Sequence, residues 1–232
     1  MQRYSKFLIH ILPLFIIIIS SPTAAWFDKT HLAISKAAGY KNWYNAAAAD
    51  LAKIKAGKVE EYNHYVNNPP DTVVTPEMIL AQVERYNSDV DRDGHLYGAI
   101  IASVRAYLED KQRDRYGEYH LAYCSHYVGD LSMPLHNTSY NEFNMKYHMI
   151  IDGIIEDGVL DNIHKIKLYE IKINTEKELA DEIARIANIS LKLGYSLEAE
   201  ERILKKEEAY EQISHSASLF KAILDYVRIK LK

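Results

Sequence analysis

Apolar residues fall three and four apart through nearly the whole of this chain, and that spacing constrains its fold more than any other feature. LAISKAAGY, NAAAADLAKIKAG, TPEMILAQVERYN, HLYGAIIASVRAYLED, EYHLAYCSHYVGDL, NMKYHMIIDGIIEDG, TEKELADEIARIANISLKLG and EERILKKEEAYEQISHSASLFKAILDYVRIKLK all carry it. Such spacing gathers the apolar side chains on one face of a 3.6-residue helix. No stretch alternates as a strand does. Thr75 before Pro76 and Glu77 is a predicted helix start, Gly57 and Gly194 are predicted helix stops, and NHYVNNPPDTV is a loop that Pro69 and Pro70 keep extended. No repeat, low-complexity tract or linker divides the chain. The expected fold is all-α, a single compact multi-helix domain.

The first 25 residues stand apart from that pattern. Arg3 and Lys6 lead into the apolar run FLIHILPLFIIII, which closes on Thr23, Ala24 and Ala25. Charge, apolar core and small residues in that order read as a cleavable signal peptide over residues 1–25, with the helical domain over 26–232. The apolar run is shorter than the roughly twenty residues a spanning helix needs. The expected location is therefore secreted or periplasmic. Cleavage after Ala25 removes the two basic residues, takes the formal charge from −4 to −6, and makes Trp26 the amino terminus. The acidic balance argues against broad attraction to nucleic acid or an anionic membrane. Cys124 is the sole cysteine, so no intrachain disulfide forms, and stability has to come from packing or bound metal.

Of the 10 histidines, all but His10 lie beyond the leader, and their placement is uneven. His126 and Asp130 are four apart on a predicted helix, as are His148 and Asp152, so each pair occupies one helical face. A pair of that kind can present a ring nitrogen and a carboxylate oxygen to one ion at about 2.0–2.2 Å. His136 follows Asp130 beyond Pro134, where the chain leaves the helix. His95, His120, His164 and His215 lack carboxylates in ligand register and read as core or surface residues. DVDRDG opens like a calcium loop, but Ile100 stands where the closing glutamate belongs, and the segment reads as a turn before the next helix. Tyr119, Tyr123 and Tyr127 fall at helical spacing and read as packing residues, Cys124 as core, and EAEERILKKEEAYE as a solvated face.

The string HYVGDLSMPLHN, His126 to Asn137, resembles the signature of the zinc-dependent phospholipase C family, whose fold and metal site are shared with the fungal zinc-type single-strand nucleases. Other landmarks follow in order: Trp26, His31, Asp50 with His64, the signature, and His148 with Asp152. The resemblance implies about three zinc ions. Asp50, His64, His126 and Asp130 resemble the ligands of the first; the Trp26 amine and carbonyl, His31 and Asp130 those of the second; His136, His148 and Asp152 those of the third. Glu60 and Glu61, nearer to His64 in sequence, rival Asp50 for its place. A backbone amine can ligate only at a chain end, so cleavage ahead of Trp26 would finish the site.

Three zinc ions against Asp50, Asp130 and Asp152 leave a formal charge of about +3 facing a cavity, which suits a phosphodiester. The resemblance implies a zinc-activated hydroxide as nucleophile, with Asp50 able to orient or deprotonate the water. The phospholipases build a choline cage at positions that here hold Lys29, Leu51 and Glu61, and the nucleases contact phosphate and base where Lys53 and Asn67 stand. Lys53 reads as a solvated helix lysine. The expected activity is phospholipase C-like hydrolysis of a phospholipid headgroup ester, with possible transient membrane-surface contact and no obligate protein partner. The alternatives are nucleic acid as substrate, in a single-strand nuclease of the same fold, or a non-catalytic zinc-stabilised helical binding protein.

Overall fold

The structure, a computed structural model, describes residues 26–110 and 117–232, and among these residues it is all-helical, without a strand. The signal peptide expected over residues 1–25 lies outside the described residues. Among the described residues nine α-helices follow one another: α1 (Asp28–Ala37), α2 (Ala48–Ala56), α3 (Lys58–Glu61), α4 (Pro76–Gln82), α5 (Leu96–Glu109), α6 (Gly117–Leu131), α7 (Glu142–Asp152), α8 (Glu176–Ala199) and α9 (Lys206–Lys230). No helix among the described residues is long and apolar enough to cross a membrane.

The helix boundaries follow local chemistry. The Thr75 hydroxyl accepts from Met78 N at 3.3 Å and opens α4 as expected, while Gly57 at φ +57° closes α2. Thr175 and Glu178 form a capping box at the start of α8. Two expectations change. The NMKYHMIIDGIIEDG segment is helical only to Asp152, after which the chain turns. Gly194 does not stop a helix: α8 runs through it to Ala199. A Cβ there would lie 2.6 Å from Thr138 Cγ2 and 3.0 Å from Pro134 O, so this glycine lets α8 approach the turn that carries His136.

Two apolar cores hold the helices together. The larger joins Ile79 of α4, much of α5, Leu121 to Leu131 of α6, Ile183 of α8 and Phe220 of α9. The smaller joins Trp26, Ile34 of α1, Met133, Ile151 and Ile213 of α9. The Trp26 indole is fully buried and donates from Nε1 to Ser132 Oγ at 3.4 Å. Cys124 is buried as expected, and burial pushes its thiol well above the usual range. α6 ends where the two cores meet, and this is the helix that carries His126 and Asp130.

Candidate metal centre

His126 and Asp130 sit one turn apart on α6, both with no exposed surface. The His126 Nδ1–H donates to Ala46 O at 2.8 Å, which leaves the Nε2 lone pair facing Asp50 Oδ2 at 3.6 Å and Asp130 Oδ2 at 3.5 Å. His31 comes from α1 and stacks on the His126 ring, centroids 3.7 Å apart, with its Nε2 3.3 Å from Asp130 Oδ1. That approach depends on Gly129, where a Cβ would lie 2.4 Å from His31 Nδ1. His64, in the turn after α3, brings Nδ1 to 2.9 Å from Asp130 Oδ2 and 3.9 Å from Asp50 Oδ1. The two Asp130 oxygens therefore face opposite ways, one to His31 and the other to His64 and His126.

A third group forms where the Pro134–His136 turn meets α7. His136 Nδ1 donates to His64 O at 2.5 Å, and His148 Nδ1 donates to Asn144 Oδ1 at 2.7 Å. With both Nδ1 protons committed, the two Nε2 lone pairs face each other at 3.1 Å, and Asp152 Oδ2 lies 3.3 Å from His148 Nε2. Two lone pairs and a carboxylate oxygen in mutual contact repel one another unless a cation or a proton joins them.

Three clusters thus emerge, each with ligand atoms within 4.8 Å of one another: His31, His126 and Asp130; Asp50, His64 and His126; His136, His148 and Asp152. Their polar atoms are short of hydrogen-bond partners here: His31 Nδ1 and Nε2, His64 Nε2, His126 Nε2, Asp130 Oδ1 and both Asp152 oxygens are buried without a hydrogen bond. Elsewhere among the described residues the same holds only for Ser35 Oγ and His215 Nδ1. Buried polar atoms in folded proteins are nearly always satisfied. Such a concentration of unsatisfied imidazole and carboxylate donors fits divalent metal ions, and these clusters can hold them.

Electrostatics agree with that donor set. Burial lowers His31 to about 4 and also lowers His64, His126 and His136, so the rings stay neutral with lone pairs free. Burial raises Asp130 and Asp152 well above the carboxylate range. Burial works the same way on Asp50, but His126, Lys53 and His31 outweigh it and hold Asp50 down at about 2.

The structure brings all eight expected side-chain ligands into these clusters, and Asp50, not Glu60 or Glu61, is the carboxylate grouped with His64 and His126. The Trp26 backbone lies against His31 closely enough to raise its basicity, although the indole serves the core. Several residues go beyond the sequence reading. Lys53 is not solvated: its ammonium lies 2.5 Å from Asp50 Oδ1, its side chain only 10% exposed. Glu60 is buried against Tyr127 and His64. His95 is a buried residue rather than a surface one, and it does have a carboxylate in register: its Nδ1 reaches Asp91 Oδ2 at 3.2 Å, one turn back in sequence. The DVDRDG segment forms the expected turn ahead of α5.

A cavity of about 380 Å³ opens onto the centre, with His64, His136 and His148 in its wall beside Lys53, Arg92 and Tyr140. Glu61 and Asn67 also line it, whereas Leu51 is 64% exposed and Lys29 is exposed, both outside that wall. A larger hollow of about 640 Å³, between residues 153–169 and the start of α9, contains no cluster residue. No protein-family model matches the chain, and no curated protein matches it in sequence.

Proposed function

We propose that this protein is an exported zinc-dependent phosphodiesterase, similar to the zinc-dependent phospholipase C family and processed so that Trp26 becomes its amino terminus. One observation carries the reading: three clusters of buried histidine and aspartate ligand atoms lie together, and a cavity beside them has histidines from two of the clusters in its wall. A closed structural site would surround its ions with protein, whereas these donors reach a space large enough for part of a substrate. Asp50, His64, His126 and Asp130 would hold one ion, His31 with Asp130 and the Trp26 backbone a second, and His136, His148 and Asp152 a third. Bound zinc there supplies Lewis-acid charge against a phosphoryl oxygen and acidifies water.

The chain's own residues shape what enters. Lys53 and Arg92 bring positive charge to the cavity wall and favour an anionic ester. Asp50, kept ionised beside Lys53, is placed to orient water. The exposed position of Leu51 away from the cavity speaks against a choline cage of the family's form. The nuclease alternative draws on Tyr65 and Tyr140, which line the same cavity and offer a base a stacking surface. The test is metal analysis of the protein beginning at Trp26, together with turnover of phosphatidylcholine, phosphatidylethanolamine, single-stranded DNA and RNA with and without chelator. About three zinc ions and chelator-sensitive hydrolysis of a phospholipid are the expected result. Cleavage of nucleic acid alone selects the nuclease, and zinc without turnover selects the binding protein.

A further inference from the structure

The buried carboxylate of Glu60 belongs to none of the three clusters, yet it faces the back of one of their ligands. His64 presents Nδ1 to Asp130 and Asp50, and its other nitrogen, Nε2, lies 3.3 Å from Glu60 Oε1. That pair is at ion-pair distance rather than an aligned hydrogen bond. Glu60 is itself tied down. The Tyr127 phenol donates to Oε1 at 2.5 Å, and Asn63 Nδ2 donates to Oε2 at 3.3 Å. Asn63 is gripped in turn, since its Oδ1 accepts from His95 Nε2 at 2.8 Å and from Asn87 N at 3.1 Å. His95 Nδ1 meets Asp91, which also pairs with Arg85 at 3.3 Å. A continuous polar chain therefore runs from Asp91 through His95, Asn63 and Glu60 to His64.

A metal-ligating imidazole needs its second nitrogen held by an acceptor, which fixes the tautomer, sets the ring plane and increases the donor strength of the ligating nitrogen. We infer that Glu60, held by Tyr127 and Asn63, is the positioning residue that orients His64 toward the metal. This rests on the zinc reading above. Sequence places Glu60 four residues before His64, so one turn of chain supplies both members, and Tyr127, adjacent to His126 on α6, locks them to the helix bearing two other ligands.

The experiment compares zinc dissociation constants, measured by competition with a chromophoric chelator, for wild type, Glu60→Gln, Tyr127→Phe and, as a control, Glu77→Gln on the exposed face of α4. Glu60→Gln keeps the shape but removes the charged acceptor, and its affinity for one ion should fall about 10–100-fold. Tyr127→Phe should fall by a smaller factor with unchanged helicity, and it decides the matter if Glu60→Gln does not fold. Glu77→Gln should match wild type. Folded Glu60→Gln and Tyr127→Phe proteins with wild-type affinity would overturn the inference while leaving the zinc reading intact. A wild-type protein that binds no zinc would remove both.

Discussion

Two buried polar clusters lie side by side in this protein, and their hydrogen bonding differs completely. In the first, Asn137 Oδ1 accepts from Tyr97 OH at 2.8 Å, and Asn137 Nδ2 donates to Leu131 O at 3.0 Å and Met133 O at 2.9 Å. Asn68 Nδ2 donates to Asn137 O at 2.9 Å, and Tyr195 OH closes the group on Asn68 O at 2.6 Å. Every one of these side chains has a partner. In the second, around Asp130 and Asp152, seven buried atoms of His31, His64, His126, Asp130 and Asp152 have no hydrogen bond. Both clusters draw on the same signature: Asn137 ends it, and His126, Asp130 and His136 lie within it. The satisfied cluster shapes the backbone that leads into and out of His136, whereas the unsatisfied one presents ligand atoms that could hold metal ions.

The sharpest way to test that contrast is Asp130→Asn. In zinc it should lose hydrolysis and forfeit roughly 3 kcal/mol or more of stability, the linkage expected for losing an ion present at about 100 times its dissociation constant. Under chelation the sign should change, because neutralising a buried carboxylate relieves a desolvation cost, and the variant should be as stable as wild type or more so. Denaturant unfolding in both conditions measures this, and equal destabilisation in both would erase the distinction.

Asn137→Ala should behave in the opposite way. It leaves the Tyr97 hydroxyl proton, Leu131 O and Met133 O without these bonds, and should cost about 3 kcal/mol with zinc and under chelation alike. A loss confined to the zinc-loaded state would move Asn137 into the metal centre.

The smallest effect concerns acid. His31 protonates near 4 in the folded protein because of burial, against an ordinary value of 6.5. As pH falls from 6.5 the unfolded chain takes up this proton first, so the ring's contribution is fully present above 6.5 and is lost progressively down to about 4. Asp130 and Asp152, raised by burial, act in the opposite sense, so the comparison that isolates the ring is chelated wild type against chelated His31→Gln. The wild type should lose up to roughly 3 kcal/mol relative to the variant across that window. Parallel pH profiles would show that His31 is not held neutral by burial.

What could be read from the chain alone were features whose physics is local. Thr75 and Gly57 act on backbone within one turn, so the ends of α4 and α2 were legible, and apolar periodicity made the all-α fold legible for the same reason. The pairs His126 with Asp130 and His148 with Asp152 were legible because i, i+4 residues share a helical face whatever the tertiary fold. Gly194, Gly129, Lys53 and Glu60 were not. Gly194 looked like a stop because glycine weakens helices locally, but α8 needs it for a close approach to Pro134, 60 residues away. Gly129 makes room for His31 from another helix, and no local signal records such a clearance. Lys53 and Asp50 stand at ordinary surface ion-pair spacing, and only the packing of α2 against α6 buries them beside His126. Sequence spacing determines which side chains share one element. Which elements bring their side chains together, and which buried atoms remain without a partner, is decided by tertiary packing because those distances cross the chain.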